Sequence, residues 1–381
     1  MKYYSPLFCF FLFIYPSFAQ KITCSPWQKL IPSVNLPSEI HCQKSNNNLD
    51  LIKFQGKYFL AFRTAPTHFA SKKTRLYIIS SADLQSWSFE KEIYCKSDLR
   101  EPRFVEFNDK LFLYYFEGGI KIFRFEPKHV MVSQFSAGSF SEPKNLGLDG
   151  YVPWRLKVHQ GTLFLSAYSG VNLYNKNHSA DLRLFTSTDG FVFSKLSQKP
   201  QCDWTGAEEG EFEFDDDGNL WATIRLEGDG ALIAYADKSD LSDWRIVFSK
   251  YKYDSALMFK IQNEFYVISR KNLDGNGKFA QASRYVPDKF RHKYNLIKYS
   301  FTKKTTALYK LDKKNKKLVY ISGLMGTGDT AYPALVDVSS SKPEFIVMNY
   351  SSNILSKEKN WIKGQLSKTF IYWTKMSIEE K

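Results

Sequence analysis

Arginine recurs at one place in a repeating unit of this chain. Arg63 lies seven residues after Gly56, Arg225 seven after Gly218 and Arg270 seven after Asn263, with Phe116 and Tyr168 at the matching place in two further units. Guanidiniums repel one another, so a cluster of three requires carboxylates or an anionic ligand to compensate it. Acids and further cations stand at the opposite ends of the same units, in Arg100-Glu101-Pro102, Trp154-Arg155, Glu208-Glu209 and Asp329-Thr-Ala-Tyr332-Pro333. Gathered in one place, these groups would grip an anionic ligand through paired N–H donors and move protons beside it. The plain alternative is a charge-balanced rim in which each acid neutralises an arginine.

The elements that must gather them are strands. Aromatics make up 17% of the 381 residues, with 32 Phe, 23 Tyr and 8 Trp, a bias toward sheet. Short strand pairs around a polar turn recur: 49–54 with 58–62, 104–107 with 111–116, 156–158 with 163–168, 212–214 with 220–224, 256–261 with 265–268, and 334–338 with 345–350. Gln55-Gly56, Asn108-Asp109, Gln160-Gly161, Asp217-Gly218 and Gln262-Asn263 have hairpin-turn chemistry, while the sixth turn, 339–343, is longer. Trp87, Phe140, Phe193 and Trp244 keep a second clock, 53, 53 and 51 residues apart, and three of them follow an Asp (Asp83, Asp189, Asp240) by four positions. Such an Asp closes a turn on backbone N–H groups while the aromatic plugs between neighbouring sheets.

Six two-hairpin units at this period predict an all-β, six-bladed β-propeller over residues 49–375. Residues 20–48 are expected as a leader packed on the wheel, and 376–381 as a tail. Blade five carries an insertion over 274–303, rich in Lys, Arg and Tyr, expected as an exposed arm. Almost nothing after residue 45 reads as an amphipathic helix.

Residues 1–19 have the form of a secretory signal, with Lys2, an apolar run from Leu7 to Tyr15, and Ser17-Phe18-Ala19 before the cut. Nine apolar residues are too few to span a bilayer as a helix. A secreted or periplasmic protein, monomeric and with no transmembrane segment, is therefore expected. Cys24, Cys42, Cys95 and Cys202 remain after the signal, and of the three ways to pair them Cys24–Cys42 with Cys95–Cys202 is preferred. No two cysteines show ligand spacing and the six His are dispersed, so no metal or cofactor is expected. The 53 Lys and Arg against 39 Asp and Glu give a net charge of +14, which suits an anionic partner, but no nucleic-acid-binding signature accompanies it. Nucleotide-binding glycine loops and a G-x-S-x-G elbow are also absent from the sequence.

Two segments sharpen the functional reading. Glu209-Gly-Glu-Phe-Glu-Phe-Asp-Asp-Asp-Gly218-Asn-Leu-Trp-Ala-Thr-Ile-Arg225 and Thr330-Ala331-Tyr332-Pro333-Ala334-Leu335 are similar to the blade-four and last-blade segments of the sialidase superfamily. The Ser-x-Asp turns at Ser81 and Ser187 resemble degenerate forms of that superfamily's Asp-boxes. The chain resembles most its bacterial sialidase-like propellers, over roughly residues 45–375. The resemblance implies that Tyr332 attacks the anomeric carbon, that Glu209 takes its phenolic proton, and that Arg225 belongs to a triad gripping the substrate carboxylate. By count the first triad arginine is replaced by Asn46, although Phe62-Arg63-Thr-Ala-Pro66 resembles its motif on the next strand; Arg270 or Lys278 stands for the third. No carboxylate occurs in 64–80 where the family's acid/base Asp belongs, leaving His68 there, with Glu101 or Asp329 as acids reaching in from other blades. Arg63, Arg155, Arg225, Arg270, Lys278 and Trp154 form the expected substrate-binding set.

The leading expectation is an exported glycoside hydrolase acting on an acidic, sialic-acid-like or uronic glycan. Two alternatives stand beside it: a glycan-binding propeller without catalysis, and a protein-interaction propeller using the blade-five arm.

Overall fold

Paired left-handed residues close the inner hairpins. Gln55 and Gly56 have φ of 45° and 80°, Asn108 and Asp109 51° and 57°, and Gln160 and Gly161 47° and 74°. That backbone matches the right-handed twist of the strands it joins, so each turn holds its hairpin in register.

The computed structural model describes residues 21–379, apart from 123, 170–180, 281, 283 and 284. The expected signal segment lies outside the described residues. The hairpins associate into six antiparallel sheets, the blades of a β-propeller. Their innermost strands are Ser45–Phe54, Asp98–Phe107, Tyr151–His159, Ala207–Phe214, Asp254–Ile261 and Ala334–Asp337. The first begins four residues before the expected Leu49, and the last strand of the wheel, Thr369–Glu379, runs beyond the expected end at 375.

Blade six is completed from the opposite end of the chain. Its outer strand is Lys21–Cys24, antiparallel to Thr369–Glu379 with Lys21 facing Glu379. Gln28–Ile31 pairs with that same strand. The leader thus supplies the closing strand, which covers the outer edge of Thr369–Glu379.

Aromatics fill the wedges between blades. Phe59, Phe135 and Phe140 meet between blades one and two with ring centroids 5.1 to 6.1 Å apart. The Asp turns form as expected: Asp83 Oδ1 accepts the Gln85 and Ser86 amides at 2.8 Å, and Asp189 Oδ1 accepts those of Phe191 and Val192 at 2.8 Å. Trp87 and Trp244 are buried behind their turns.

Two expectations need correction. The blade-five insertion carries a helix, α1 (Asp288–Ser300). Asn295 and Tyr299 are buried on its inward side, while its larger apolar side chains, Phe290, Tyr294, Ile297 and Phe301, are exposed. The four cysteines are free, correcting the expected disulfides. Each is held in a different piece of structure: Cys24 in the closing strand, Cys42 in the link into blade one, Cys95 in the link to blade two, and Cys202 bridged to Leu182 of blade three. Burial pushes the Cys42 thiol up to about 11 and the Cys202 thiol up to about 12.

Candidate functional site

Five of the six inner strands break register near the same height. The ladder slips between Asn47 and Leu49, Arg100 and Arg103, Pro153 and Arg155, Glu208 and Glu211, and Asp254 and Leu257. At four slips the extra residue is left-handed: Asn48, Glu101, Glu209 and Ser255, with φ of 39°, 55°, 50° and 50°. Tyr332, just before the inner strand of blade six, has φ 89°. A bulge re-aims a side chain at the cost of backbone strain, and such strain concentrates at functional positions. Here it turns these five residues into one axial cavity of about 420 Å³.

The floor of the cavity is a phenol on an acid. The Tyr332 hydroxyl donates to Glu101 Oε2, and Asn48 Nδ2 reaches Glu101 Oε1 at 3.4 Å. Beneath the phenol lies Arg103, its Cζ 4.2 Å from the centre of the Tyr332 ring and 4.7 Å from that of Trp154. Trp154 also meets Tyr332 edge to face at 5.5 Å. Burial pushes the Glu101 carboxyl up to about 7, with Arg103 opposing and Glu209 adding to the rise. Burial, then the neighbouring Arg155, brings the Arg103 guanidinium down to about 10, still a cation at neutral pH.

One wall is built around Arg225. Its guanidinium meets Glu208 at 2.9 Å, Glu209 at 2.7 Å and Asp254 at 3.2 Å, and pairs with Glu227. Four carboxylates outweigh the burial that would strip its proton, so Arg225 stays charged. Burial pushes Glu208 well above the usual carboxylate range, against Arg225 and with Glu227. Although burial pushes Asp254 up, Lys252, Arg225 and Arg270 together hold it below its ordinary value. Glu209 Oε2 accepts the Ser255 amide at 2.6 Å. Arg270 donates to the Thr330 carbonyl at 2.7 Å and lies over Trp361 at 5.0 Å.

Across the mouth, His68 Nδ1 is 2.8 Å from Asp329 Oδ2. Asp329 is fully buried and also receives Tyr350 Oη at 3.1 Å and Trp361 Nε1 at 3.3 Å. Burial lowers the His68 imidazole despite Asp329, and although burial pushes Asp329 up, His68, Arg270 and Tyr350 together hold it below its usual range. At neutral pH the ring is therefore neutral, with Nδ1 engaged. Arg100 donates to Asp98 and, at 2.7 Å, to the His68 carbonyl.

Of the residues singled out by sequence, Tyr332, Glu101, Glu209, His68, Arg225 and Arg270 line this one cavity. The others do not. Arg63 is fully buried, paired with Asp98 at 2.8 Å and with the Phe69 carbonyl at 3.0 Å. Arg155 is turned below the floor onto Glu211 at 2.7 Å. Trp154 supports Tyr332 from beneath, and Asp329 backs His68 rather than facing the cavity. Lys278 pairs with Tyr251 at the root of the insertion, away from the cavity. The implied Tyr332–Glu209 pair is replaced by Tyr332–Glu101, because Glu209 is already taken by Arg225 and the Ser255 amide. Asn46 is bonded to Thr369, and its place at the cavity is taken by Asn48.

Asn48 and Ser255 were not read as site residues. Their signal is the spacing of the bulges: Asn48, Glu101 and Trp154 are each 53 residues apart. Among the described residues no group of three His, Cys, Asp or Glu side chains could hold a metal ion.

No known family model matches the chain, and no curated protein sequence does. Solved structures do. A protein of unknown function from Dyadobacter fermentans is similar with a TM-score of 0.63 at 12% identity, over 94% of this chain and 99% of that one. Trypanosoma rangeli sialidase in complex with sialic acid gives 0.61 at 10% identity, over 93% of this chain and 58% of the sialidase. The phage phi92 endosialidase gives 0.60 at 11% identity, over 96% and 70%. The protein therefore has a sialidase-like six-bladed propeller fold.

Proposed function

We propose that the axial cavity cleaves a glycosidic bond of a glycan, with Tyr332 as nucleophile and Glu101 as the base that takes its proton. The observation that carries this reading is the hydrogen bond from the buried Tyr332 hydroxyl to a carboxylate raised to about 7. A base with that affinity accepts the proton at neutral pH without holding it too tightly. The Arg103 cation under the ring favours the negative charge that develops as the phenol attacks.

The other groups have distinct parts. The departing aglycone oxygen takes its proton from solvent at the mouth, and His68, neutral and fixed through Nδ1 by Asp329, presents Nε2 as a base for the water that releases the sugar from Tyr332. Asp329 is a positioning residue in this scheme. A phenol rather than a carboxylate as nucleophile suits an anomeric carbon that itself bears a carboxylate, where two anions would repel. Arg100, Arg225 and Arg270 in the wall make an acidic, sialic-acid-like sugar the substrate class of choice.

Fluorogenic sialosides and uronides, with neutral glycosides as controls, test the reading. Turnover that vanishes in Tyr332→Phe and Glu101→Gln supports it; turnover unchanged in both removes it. The second reading, glycan binding without turnover, is favoured by the four carboxylates that already surround Arg225. It predicts saturable glycan binding by calorimetry and no product from any glycoside of the panel. For this fold, an exported location is part of the proposal and follows from the signal-like residues 1–19.

A further inference from the structure

The longest connection between described strands joins the second and third strands of blade five, from Leu273 to Lys303. Equivalent connections in other blades supply the cavity mouth: His68 and Phe69 in blade one, Gly118 to Ile122 in blade two, and Trp361 and Gln365 in blade six. Helix α1 therefore stands on the same face of the wheel as the cavity.

The helix is anchored on one side and apolar on the other. Tyr299 bonds Asp254, and Asn295 Oδ1 accepts the Ala282 amide at 2.9 Å. Steps of four, three and four residues then place Phe290, Tyr294, Ile297 and Phe301 in one outward stripe. Each is between 41% and 57% exposed. A stripe of aromatic and branched side chains exposed to this extent marks a contact surface. Ile122 and Leu366, at the rim of the mouth, are likewise more than half exposed.

Charge decides what the contact is. Within α1 the sequence has Lys289, Arg291, Lys293 and Lys298 against the single acid Asp288. Lys293 and Lys298 are exposed beside the stripe. Long basic side chains bordering an aromatic stripe are the pattern of a helix lying in a lipid interface, with stems along the apolar surface and ammonium groups at the phosphates.

We propose that this face rests on an anionic lipid surface, with α1 as the interfacial element. The aromatic stripe enters the boundary between headgroups and acyl chains, and the lysines pair with lipid phosphates. The inference does not depend on the glycosidase reading, because it is tested by binding alone.

The test is co-sedimentation of the purified protein with vesicles. Phosphatidylethanolamine vesicles carrying about one-quarter phosphatidylglycerol should bind it at least about tenfold better than phosphatidylcholine vesicles. Salt at about 0.5 M should weaken that preference. The variant Phe290→Ser/Ile297→Ser/Phe301→Ser should lose about tenfold in vesicle affinity, with its circular dichroism unchanged because all three side chains are exposed. No binding to either vesicle overturns the proposal, as does equal binding to both that the variant leaves intact. A dimer in sedimentation velocity that the variant disperses also overturns it, assigning the stripe to a second copy of the chain.

Discussion

The Tyr332 hydroxyl donates to Glu101 across 231 positions of sequence, joining blade six to blade two through the centre of the wheel. Glu209, the acid of blade four, makes no such bond and instead holds Arg225. Tyr332→Phe and Glu101→Gln should each lower turnover of a cleaved glycoside by roughly 10²–10⁴-fold. Initial rates at saturating substrate give the comparison, and native circular dichroism separates chemistry from folding.

The raised carboxyl of Glu101 also sets a pH dependence of stability. Its folded value of about 7 exceeds the ordinary 4.5, so between those values the folded protein binds more protons than the unfolded chain. Stability from this group is therefore present in acid and is lost as pH rises through that window. The loss is on the order of 3 kcal/mol. Denaturant midpoints measured from pH 4.5 to 7.5 should fall less in Glu101→Gln than in the parent protein. Turnover has the opposite slope, rising with pH as Glu101 loses its proton near 7.

Arg63 belongs to the frame and not to the ligand. Asp98→Ala leaves the fully buried Arg63 cation without its partner and should destabilise the fold by about 3–5 kcal/mol in urea titrations. Asp98→Ala and Arg63→Ala together should be less harmful than the sum of the single changes, since the pair is removed as a unit.

The Asp turns carry stability without function. Asp189→Ala removes the acceptor of two amides and should lower stability by about 1 kcal/mol. Trp87→Ala opens a void behind its turn and should cost about 3–5 kcal/mol. Turnover per folded molecule should be unchanged in both, as measured by active-site-independent rate normalisation to folded fraction.

The wheel was legible because turn chemistry and aromatic spacing both repeat, and both signals are local. Gln55-Gly56 and Trp87 announce their hairpin and wedge without help from the rest of the chain. The pairing of Tyr332 was not legible in this way. Glu101 and Glu209 occupy equivalent bulges, and only the distance across the axis selects between them. Arg63 shares the strand position of Arg225 and Arg270, yet Asp98 draws it into the wall. Helix α1 escaped because four basic residues interrupt its apolar positions and it is anchored through a tyrosine and an asparagine rather than through an apolar face.

The strand pairing that seats Lys21 opposite Glu379 has a kinetic meaning. A ribosome must deliver Thr369–Glu379 before Lys21–Cys24 has anything to zip against, so the circle is sealed only after blade six has been made. Loop-closure entropy over some 350 residues opposes that step until the other blades have brought the partners near. Trimming those few early residues would leave a wheel with an open seam, slow to mature and ready to borrow a neighbour's strand.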